Sequence, residues 1–326
     1  MLTICIPTYN RAEKVRERVL ELLPQLVSGV KIIIIDNCSS VSVLNTINDL
    51  TEKHENISVI KNKFNVGMSA NIARCIEICD TNWMWLLGDD DKVLPQAVSF
   101  ILDDISTADD KISCLKYSSY CGINKKEEVL NFSEFLKHKD LDFNFVANTF
   151  LISSSVIRVG DIGALDKVMD TSNSMIPHIV LLFQLLMDGG KIFLSKKELV
   201  KSTGSDISWS ILQLDFNLIL VLQFASGIDD KNFKLLRNFF SHIVFNPITI
   251  FFRVHKLGKN KGRQYAKYIY KGILLHLMMR SFRPLYFILS ILLFFVFYMR
   301  ADKILPFVFT LLGKEKKEKY MSFMRK

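Results

Sequence analysis

Four apolar runs of strand length alternate with amphipathic stretches over the first 91 residues. The stretches between them carry apolar residues at helical spacing, as in NRAEKVRERVLELLPQL, VSVLNTINDLTEKH and MSANIARCIEICD. Strands that alternate with helices at this interval predict right-handed βαβ units and an open, mostly parallel sheet. The four predicted strands are LTICIP (2–7), VKIIIIDN (30–37), ISVIKN (57–62) and WMWLLGDDD (83–91).

The pattern loosens between residues 92 and 205, where mixed strands and one long helix are expected to complete the sheet. The helix is IPHIVLLFQLLMDGG, and the remaining signals are ISCLKYSSYCGI, NFVANTFLISSSVIRV and KIFLS. From residue 206, stretches such as ILQLDFNLILVLQFASGI favour helices. The sequence therefore predicts an α/β, Rossmann-like domain over residues 1–205 and a helical region over residues 206–326.

The basic character of the chain belongs to its C-terminal part. The formal net charge is +9, but residues 251–326 alone carry 17 Lys and Arg against 3 Asp and Glu, which leaves the first 250 residues acidic. A nucleic-acid-binding protein needs basic or aromatic surface on its folded domain as well. No nucleic-acid partner is therefore expected.

An uncharged stretch of 16 residues, PLYFILSILLFFVFYM (284–299), lies inside the basic part. A helix of this length spans roughly 24 Å, which is short of the ~30 Å hydrocarbon layer of a bilayer. Together with the basic tail it predicts helices that lie on, or dip into, an anionic membrane surface. A single span, or a buried core helix with a solvated basic tail, are the alternatives.

The cysteines indicate a reducing compartment. All six lie in the first 121 residues without a CxxC pair, and most are inside apolar runs, as expected of small buried thiols. The N-terminal MLTICIPTYNR has no basic region before its short apolar run, unlike a secretory signal. We therefore expect a location in the cytoplasm.

Three polar clusters follow predicted strands, at the edge where an open parallel sheet binds its ligands. They are expected to lie side by side. Three neighbouring carboxylates are costly unless a cation holds them, and carboxylate oxygens suit Mg²⁺ or Mn²⁺. As an alternative, Asn10 caps the first helix. Trp83 and Trp85 are expected to be core residues of the strand and not a platform for a ligand. The clusters are Thr8–Arg11, Asp36 with Asn37, and Asp89–Asp91.

Neither GxGxxG nor GxxxxGK[ST] occurs, which removes the main support for a nicotinamide enzyme or a P-loop enzyme. Four other segments, ICIPTYNR, IIIIDNCSS, NVGMSAN and WMWLLGDDDKVLP, resemble in order and spacing the signature blocks of family 2 glycosyltransferases with the GT-A fold. The WLLGDDD form is similar to the abequosyltransferase-like subgroup of surface-polysaccharide biosynthesis. The resemblance covers about residues 1–200.

This resemblance implies roles for residues at the matching positions. Asp90 becomes the first choice for a metal ligand, with Asp91 as a further ligand, although Gly88 replaces the first acid of the usual DxDD motif. Tyr9 would stack on the base, Asp36 would hydrogen-bond it, and Asn65 and Gly67 match the NxG turn. The implied donor-binding residues are Pro7, Thr8, Tyr9, Asp36, Asn65, Gly67 and Asp89.

The resemblance also implies a general base at the start of the helix that ends in FQLLMDGG. The family usually places an acid pair there, whereas this chain has Pro177 and His178. A histidine suits a base at neutral pH, because its ordinary pKa is about 6.5. His178 is therefore the candidate catalytic base. Asp170 is an alternative, and His178 is otherwise a helix cap or a packed core residue.

The function implied is an inverting glycosyltransferase at the cytoplasmic face of the inner membrane. It would use Mn²⁺ or Mg²⁺ to move a sugar from a nucleotide-sugar donor to a lipid-linked oligosaccharide acceptor, in O-antigen or capsule synthesis. A sugar nucleotidyltransferase is one alternative, but PTYNRAEKV lacks the glycine-rich loop which that class carries after its first strand. A non-catalytic scaffold at the membrane surface is the other.

Overall fold

The computed structural model describes residues 1–162, 168–169, 176–203 and 230–241. All of them belong to one of the two compact units into which the chain divides. The strands are Leu2–Thr8 (β1), Val30–Asp36 (β2), Ile57–Lys61 (β3), Trp83–Leu86 (β4), Asp91–Val93 (β5), Ile112–Ser118 (β6), Glu128–Leu130 (β7), Ser155–Arg158 (β8), Lys191–Glu198 (β9) and Val200–Ser202 (β10). The α-helices are Ala12–Leu22 (α1), Val43–Thr46 (α2), Asn48–Thr51 (α3), Met68–Ile78 (α4), Ala97–Thr107 (α5), Phe132–Leu136 (α6), Phe143–Phe150 (α7), Pro177–Met187 (α8) and Asp230–Ser241 (α9).

The main sheet has eight strands in the order β3-β2-β1-β4-β8-β6-β9-β7. Its first four strands are parallel, and β8 then joins β4 and β6 in antiparallel pairing. A separate antiparallel pair joins β5 to β10. The prediction of an α/β fold with a mostly parallel sheet is confirmed for the part of the chain that the structure describes.

Side chains alternate between two cores along β1. Leu2, Ile4 and Ile6 are fully buried in the core that also contains Val15 and Val19 of α1. Cys5 points the other way, and its thiol contacts a backbone carbonyl of α4. Helices therefore cover the parallel half of the sheet on both faces, which explains the nearly uniform apolar sequence of its strands.

The fourth predicted strand is shorter than the sequence indicated. β4 ends at Leu86, Asp89 and Asp90 lie in the turn that follows, and Asp91 begins β5. The N–H of Gly88 donates to the hydroxyl oxygen of Ser153 and not to a neighbouring strand. The N–H of Asp91 donates to the carbonyl of Gly88 at 3.2 Å. The long helix predicted over 41–54 is likewise two short helices. NFVANTFLISSSVIRV contains α7 as well as β8.

Little of the predicted C-terminal region falls within the described residues. Of this region the structure describes α9, whose Phe239 packs against Phe135, Phe145 and Phe183 with ring centroids 5.5 to 6.4 Å apart. No helix in the described part has the length and apolar character needed to cross a bilayer. The segment 284–299 and the basic tail lie outside the described residues, so their predicted membrane association stays a prediction, as does the domain boundary at 205.

Candidate functional site

The three polar clusters meet at the carboxyl-terminal edge of β1, β2 and β4. Thr8, at the end of β1, is the register partner of Asp36 at the end of β2. Its carbonyl accepts the N–H of Asn37 at 2.9 Å, and its hydroxyl donates to Oδ2 of Asp89 at 2.7 Å. The prediction that these clusters lie side by side is confirmed.

The turn after β1 is fixed by Asn10, which adopts a positive φ of 56°. Asparagine tolerates this left-handed conformation better than most residues. Its N–H donates to Ser39 at 2.8 Å, and its side-chain oxygen accepts the N–H of Ser40 at 2.9 Å. Asn10 therefore joins two loops and does not cap α1, so the capping alternative is wrong. The turn leaves Tyr9 half-exposed beside the half-buried Pro7.

Asp89 is a buried acid of the cluster, with a side chain that is 7% exposed. Besides the Thr8 hydroxyl, it accepts an N–H of the Arg11 guanidinium at 2.7 Å. Burial raises the pKa of Asp89, and the contacts with Thr8 and Arg11 oppose that shift. Asp89 thus joins the end of β1 to the acidic turn.

Asp90 is the most open of the three acids, with a side chain that is 30% exposed. Its Oδ2 lies 3.1 Å from Nη1 of Arg11, and its backbone carbonyl accepts the hydroxyl of Thr203 at 2.8 Å. Within the described residues no side chain bonds its Oδ1. Asp90 therefore combines a fixed backbone with a carboxylate that has room for another ligand.

Asp91 is held by the protein on both carboxylate oxygens. The hydroxyl of Tyr120 donates to Oδ1 at 2.7 Å, and the hydroxyl of Ser153 donates to Oδ2 at 2.5 Å. Burial raises the pKa of Asp91 although both contacts favour its charged form. Because both of its carboxylate oxygens accept hydrogen bonds from the protein, Asp91 anchors the turn. Asp90 is therefore better placed to bind a metal.

The donor set suits a cation that is shared with a phosphate group. In the described part of the chain, no three or more His, Cys, Asp or Glu side chains form a group that could hold a metal by themselves. Mg²⁺ is usually bound by one or two carboxylates together with water and substrate phosphates, so a complete protein cage is not required. The guanidinium of Arg11 already stands as a cation between Asp89 and Asp90. The residues therefore fit a metal that arrives with a diphosphate.

Asp36 and a group of asparagines shape the other side of the edge. Asp36 is buried and its Oδ1 accepts the N–H of Ser39 at 2.9 Å. The amide of Asn62 donates to Asn37 at 3.1 Å and to Asn71 at 2.8 Å. These bonds tie the ends of β2 and β3 to the first turn of α4.

The NxG turn predicted from the resemblance is present as a structured loop. The side-chain oxygen of Asn65 accepts the amide of Asn37 at 2.8 Å and the N–H of Gly67 at 2.9 Å. Gly67 has a φ of +85°, which favours glycine, and α4 begins directly after it. Asn65 therefore fixes the loop between β3 and α4 beside the end of β2.

His178 lies at the start of α8, as predicted, but it is buried and in contact with another segment. Its Nε2–H donates to the carbonyl of Phe150 at 3.0 Å, and Nδ1 has no partner among the described residues. Burial lowers the pKa of His178 to about 3, so the ring is neutral at pH 7. The described structure contains no contact between His178 and the acidic turn, and its role as base stays a prediction. Asp170 lies outside the described residues.

A buried lysine holds the same segment as His178. Lys116 donates to the carbonyls of Thr149 and Leu151 at 3.3 and 3.1 Å, and to the hydroxyl of Ser155 at 2.6 Å. The indole N–H of Trp85 bonds the Ser153 carbonyl at 2.9 Å, and both Trp83 and Trp85 are core residues. These contacts fix residues 149–155, and the segment in turn holds Ser153 in position to donate to Asp91.

Sequence reasoning named Arg11 within the first cluster but gave it no role, and it missed Tyr120 and Ser153. Tyr120 lies 29 positions and Ser153 lies 62 positions from Asp91 in the chain. Neither belongs to a local motif. Tyr120 follows β6 and Ser153 precedes β8, so both contacts depend on the antiparallel pairing of β8 with β4 and β6. The arginine could have been found, because it follows β1 directly and three acids need a counter-charge.

The sequence of this chain is similar to that of known proteins. A sequence model described as Glycosyl transferase family 2 matches residues 3–167. The chain is 21% identical over 262 residues to abequosyltransferase RfbV of Salmonella typhimurium, which covers 73% of this chain and 78% of that protein. It is 29% identical over 107 residues to an uncharacterized glycosyltransferase of Haemophilus influenzae, which covers 32% of this chain and 34% of that protein.

Two solved structures share the fold. Residues 1–349 of S. aureus TarS in complex with UDP-GlcNAc match with a TM-score of 0.59 at 11% identity, covering 83% of this chain and 80% of that one. Mannosyltransferase PcManGT from Pyrobaculum calidifontis, in complex with GDP-Man and Mn²⁺, matches with a TM-score of 0.52 at 11% identity, covering 99% and 85%. These likenesses show a GT-A-like α/β fold. Since the family model spans half of the chain, this protein is a glycosyltransferase that belongs to glycosyl transferase family 2.

Proposed function

We propose that this glycosyltransferase inverts the configuration of the sugar it transfers and binds its nucleotide-sugar donor beside Asp90 with a divalent metal. One observation carries the proposal. The half-exposed carboxylate of Asp90 lies next to the buried Asp89 at the carboxyl ends of parallel strands, where such sheets bind ligands.

The donor nucleotide would lie along the ends of β1 and β2. Tyr9 offers an exposed aromatic face for the base, and Asp36 lies beside Thr8 as a buried acid with which the base can bond. The asparagine-fixed loop at Asn65 and Gly67 would close this side. The likeness to proteins bound to UDP-GlcNAc and GDP-Man supports a nucleotide-sugar as the donor class.

The acids would hold the metal, with Asp90 as direct ligand and Asp89 and Asp91 supplying further negative charge. Bound Mn²⁺ or Mg²⁺ supplies charge neutralisation to the diphosphate as it leaves the sugar. Thr8, Ser153 and the backbone contact of Asp90 with Thr203 keep the turn in place. The Mn²⁺ in the mannosyltransferase complex supports this choice of cofactor.

Inversion requires a group that takes the proton of the acceptor hydroxyl. His178 is our candidate, because it lies at the start of α8 and its buried Nδ1, which has no hydrogen-bond partner among the described residues, can accept a proton. A depressed pKa makes it a weak base, so Asp170 remains the rival for this role.

We further propose a lipid-linked oligosaccharide acceptor of O-antigen or capsule type, reached at the cytoplasmic face of the inner membrane. The similarity to an abequosyltransferase supports transfer to a surface polysaccharide precursor. The net positive charge of residues 251–326 supports attraction to an anionic membrane.

A donor-cleavage assay tests the proposal. The full chain is incubated with UDP-, GDP-, CDP- and dTDP-sugars and Mn²⁺ in the presence of vesicles that carry lipid-linked oligosaccharide, and nucleoside diphosphate release is measured. We expect one donor to be cleaved with transfer of its sugar, and the product to have the inverted anomeric configuration by NMR. In a separate incubation with a sugar phosphate and nucleoside triphosphates, release of pyrophosphate would instead identify a nucleotidyltransferase.

A further inference from the structure

Arg11 is the cation that faces the acidic turn. Its Nη1 atom lies 2.7 Å from Oδ1 of Asp89 and 3.1 Å from Oδ2 of Asp90, so one nitrogen bridges two carboxylates. The side chain of Arg11 is 23% exposed, and it leaves the chain directly before α1. Within the described residues these two acids are its only hydrogen-bond acceptors, so Nε and Nη2 can donate to a ligand.

The two acids depend on Arg11 to different degrees. Asp89 also accepts the hydroxyl of Thr8, whereas the carboxylate of Asp90 has Arg11 as its only side-chain partner in the described part of the chain. A partly buried carboxylate is costly without an opposite charge. Asp90 therefore loses its counter-charge if Arg11 moves away and nothing replaces it.

The proposed metal and Arg11 need the same carboxylate. We infer that Arg11 is a positioning residue that exchanges partners when the donor binds: it neutralises Asp90 in the free enzyme, then releases this carboxylate to the metal and donates to the diphosphate. This role of Arg11 rests on the proposed function, because it requires a diphosphate beside Asp90.

The exchange couples the metal to the nucleotide. Metal alone must compete with the guanidinium for Asp90, and a displaced guanidinium keeps only Asp89 as an acceptor among the described residues, so the binding of metal alone is weak. With a nucleoside diphosphate present, phosphate oxygens accept the guanidinium, whose planar donors suit two oxygens at once. Each ligand then strengthens the binding of the other by the same factor.

Binding of Mn²⁺ to the full chain, measured by the electron paramagnetic resonance of free Mn²⁺, tests this role. Wild type, Arg11→Gln and Arg16→Gln are compared without nucleotide and with each of UDP, GDP, CDP and dTDP. Arg16 is the matched control, because it lies on α1, which begins directly after Arg11, and pairs instead with Asp49.

We expect Arg11→Gln to bind Mn²⁺ alone about tenfold more tightly than wild type, and its coupling to nucleotide to fall about tenfold, within the usual range of such couplings. Arg16→Gln should match wild type in both. Equal Mn²⁺ affinity and equal coupling in wild type and Arg11→Gln would overturn the role.

Two further outcomes are distinct. Wild type that binds no Mn²⁺ with any of the four nucleotides overturns the metal assignment of the proposed function and this role with it. If circular dichroism shows that Arg11→Gln is unfolded, Arg11→Lys takes its place. A lysine keeps the charge but lacks the planar set of donors, so its coupling should fall, and a coupling equal to that of wild type contradicts the role.

Discussion

The hydroxyl of Ser153 donates to Oδ2 of Asp91 at 2.5 Å, and the hydroxyl oxygen of Ser153 accepts the N–H of Gly88 at 2.8 Å. A single hydroxyl thus holds both ends of the turn that carries the acids. Ser153 lies shortly before β8, which pairs with β4. Since Asp90 lies between Gly88 and Asp91, this strand pairing also helps to position Asp90.

Replacing Ser153 by alanine should therefore destabilise the turn. Ser153→Ala leaves a buried N–H and a buried carboxylate oxygen without this partner, and we expect a loss of about 2–3 kcal/mol in the free energy of unfolding. Urea denaturation measures it. Ser99→Ala is the control, because the exposed Ser99 bonds only a carbonyl at the start of its own helix. A loss below about 0.5 kcal/mol, the usual size for surface changes, would contradict the anchoring role.

The asparagine group predicts a change in donor binding. Asn62→Ala removes the amide that bonds both Asn37 and Asn71, so the loop before α4 should lose its fixed position. We expect the KM for the donor to rise about fivefold with little change in kcat, as for lost uniform binding. Steady-state kinetics measures both constants. Asn48→Ala is the control, because among the described residues the exposed side chain of Asn48 bonds only Glu52. An unchanged KM would show that this loop does not contribute to donor binding and would contradict the prediction.

His178→Gln tests the proposed base. Glutamine keeps an N–H for the carbonyl of Phe150 but cannot take a proton, so kcat should fall about 100-fold or more. Since the pKa of His178 is lowered to about 3, kcat/KM of the wild type should also lack an acidic limb near pH 6.5. A full kcat in His178→Gln, with loss of activity in Asp170→Asn, would move the role to Asp170.

Protein stability should depend on pH through the same histidine. The folded-state pKa of His178 is about 3, below the ordinary value of 6.5, so only the unfolded chain binds this proton between those values. The stability is therefore complete above pH 6.5 and is lost as the pH falls toward 3, by at most about 1.4 kcal/mol per pH unit from this group. Urea titrations at pH 7 and pH 5 should show a smaller loss for His178→Gln than for wild type. Equal losses in both proteins would contradict the buried, neutral state.

The parallel half of the fold could be predicted because it is local. The strands β1 and β2 are nearly uniform apolar runs, and each is followed by polar residues at the same edge of the sheet. The acidic turn could be located from the sequence. The contacts that stabilise it could not be predicted. Tyr120 and Ser153 reach Asp91 through antiparallel pairings between distant segments, and no short-range pattern encodes these contacts.

The environment of His178 could not be predicted from the sequence either. Its place at a helix start follows from the pattern, whereas its burial depends on how α8 packs against residues 149–151. The fully buried Lys116 in the middle of β6 is a further case, since an alternating strand pattern does not reveal which polar side chain faces inward. Burial, and with it the direction of a pKa shift, is a property of the packed chain.

The proposed function requires that Asp90 bind a metal that also binds the diphosphate of the donor. Thermal stability of the full chain should be measured with UDP, GDP, CDP and dTDP, with and without Mn²⁺, for wild type and Asp90→Asn. A ligand at one hundred times its Kd adds about 2.7 kcal/mol when it binds only the folded protein. We predict that one nucleotide raises the melting temperature of wild type only with Mn²⁺, and that Asp90→Asn loses this increase. An equal increase in Asp90→Asn, or no increase with any nucleotide in folded wild type, would contradict the claim.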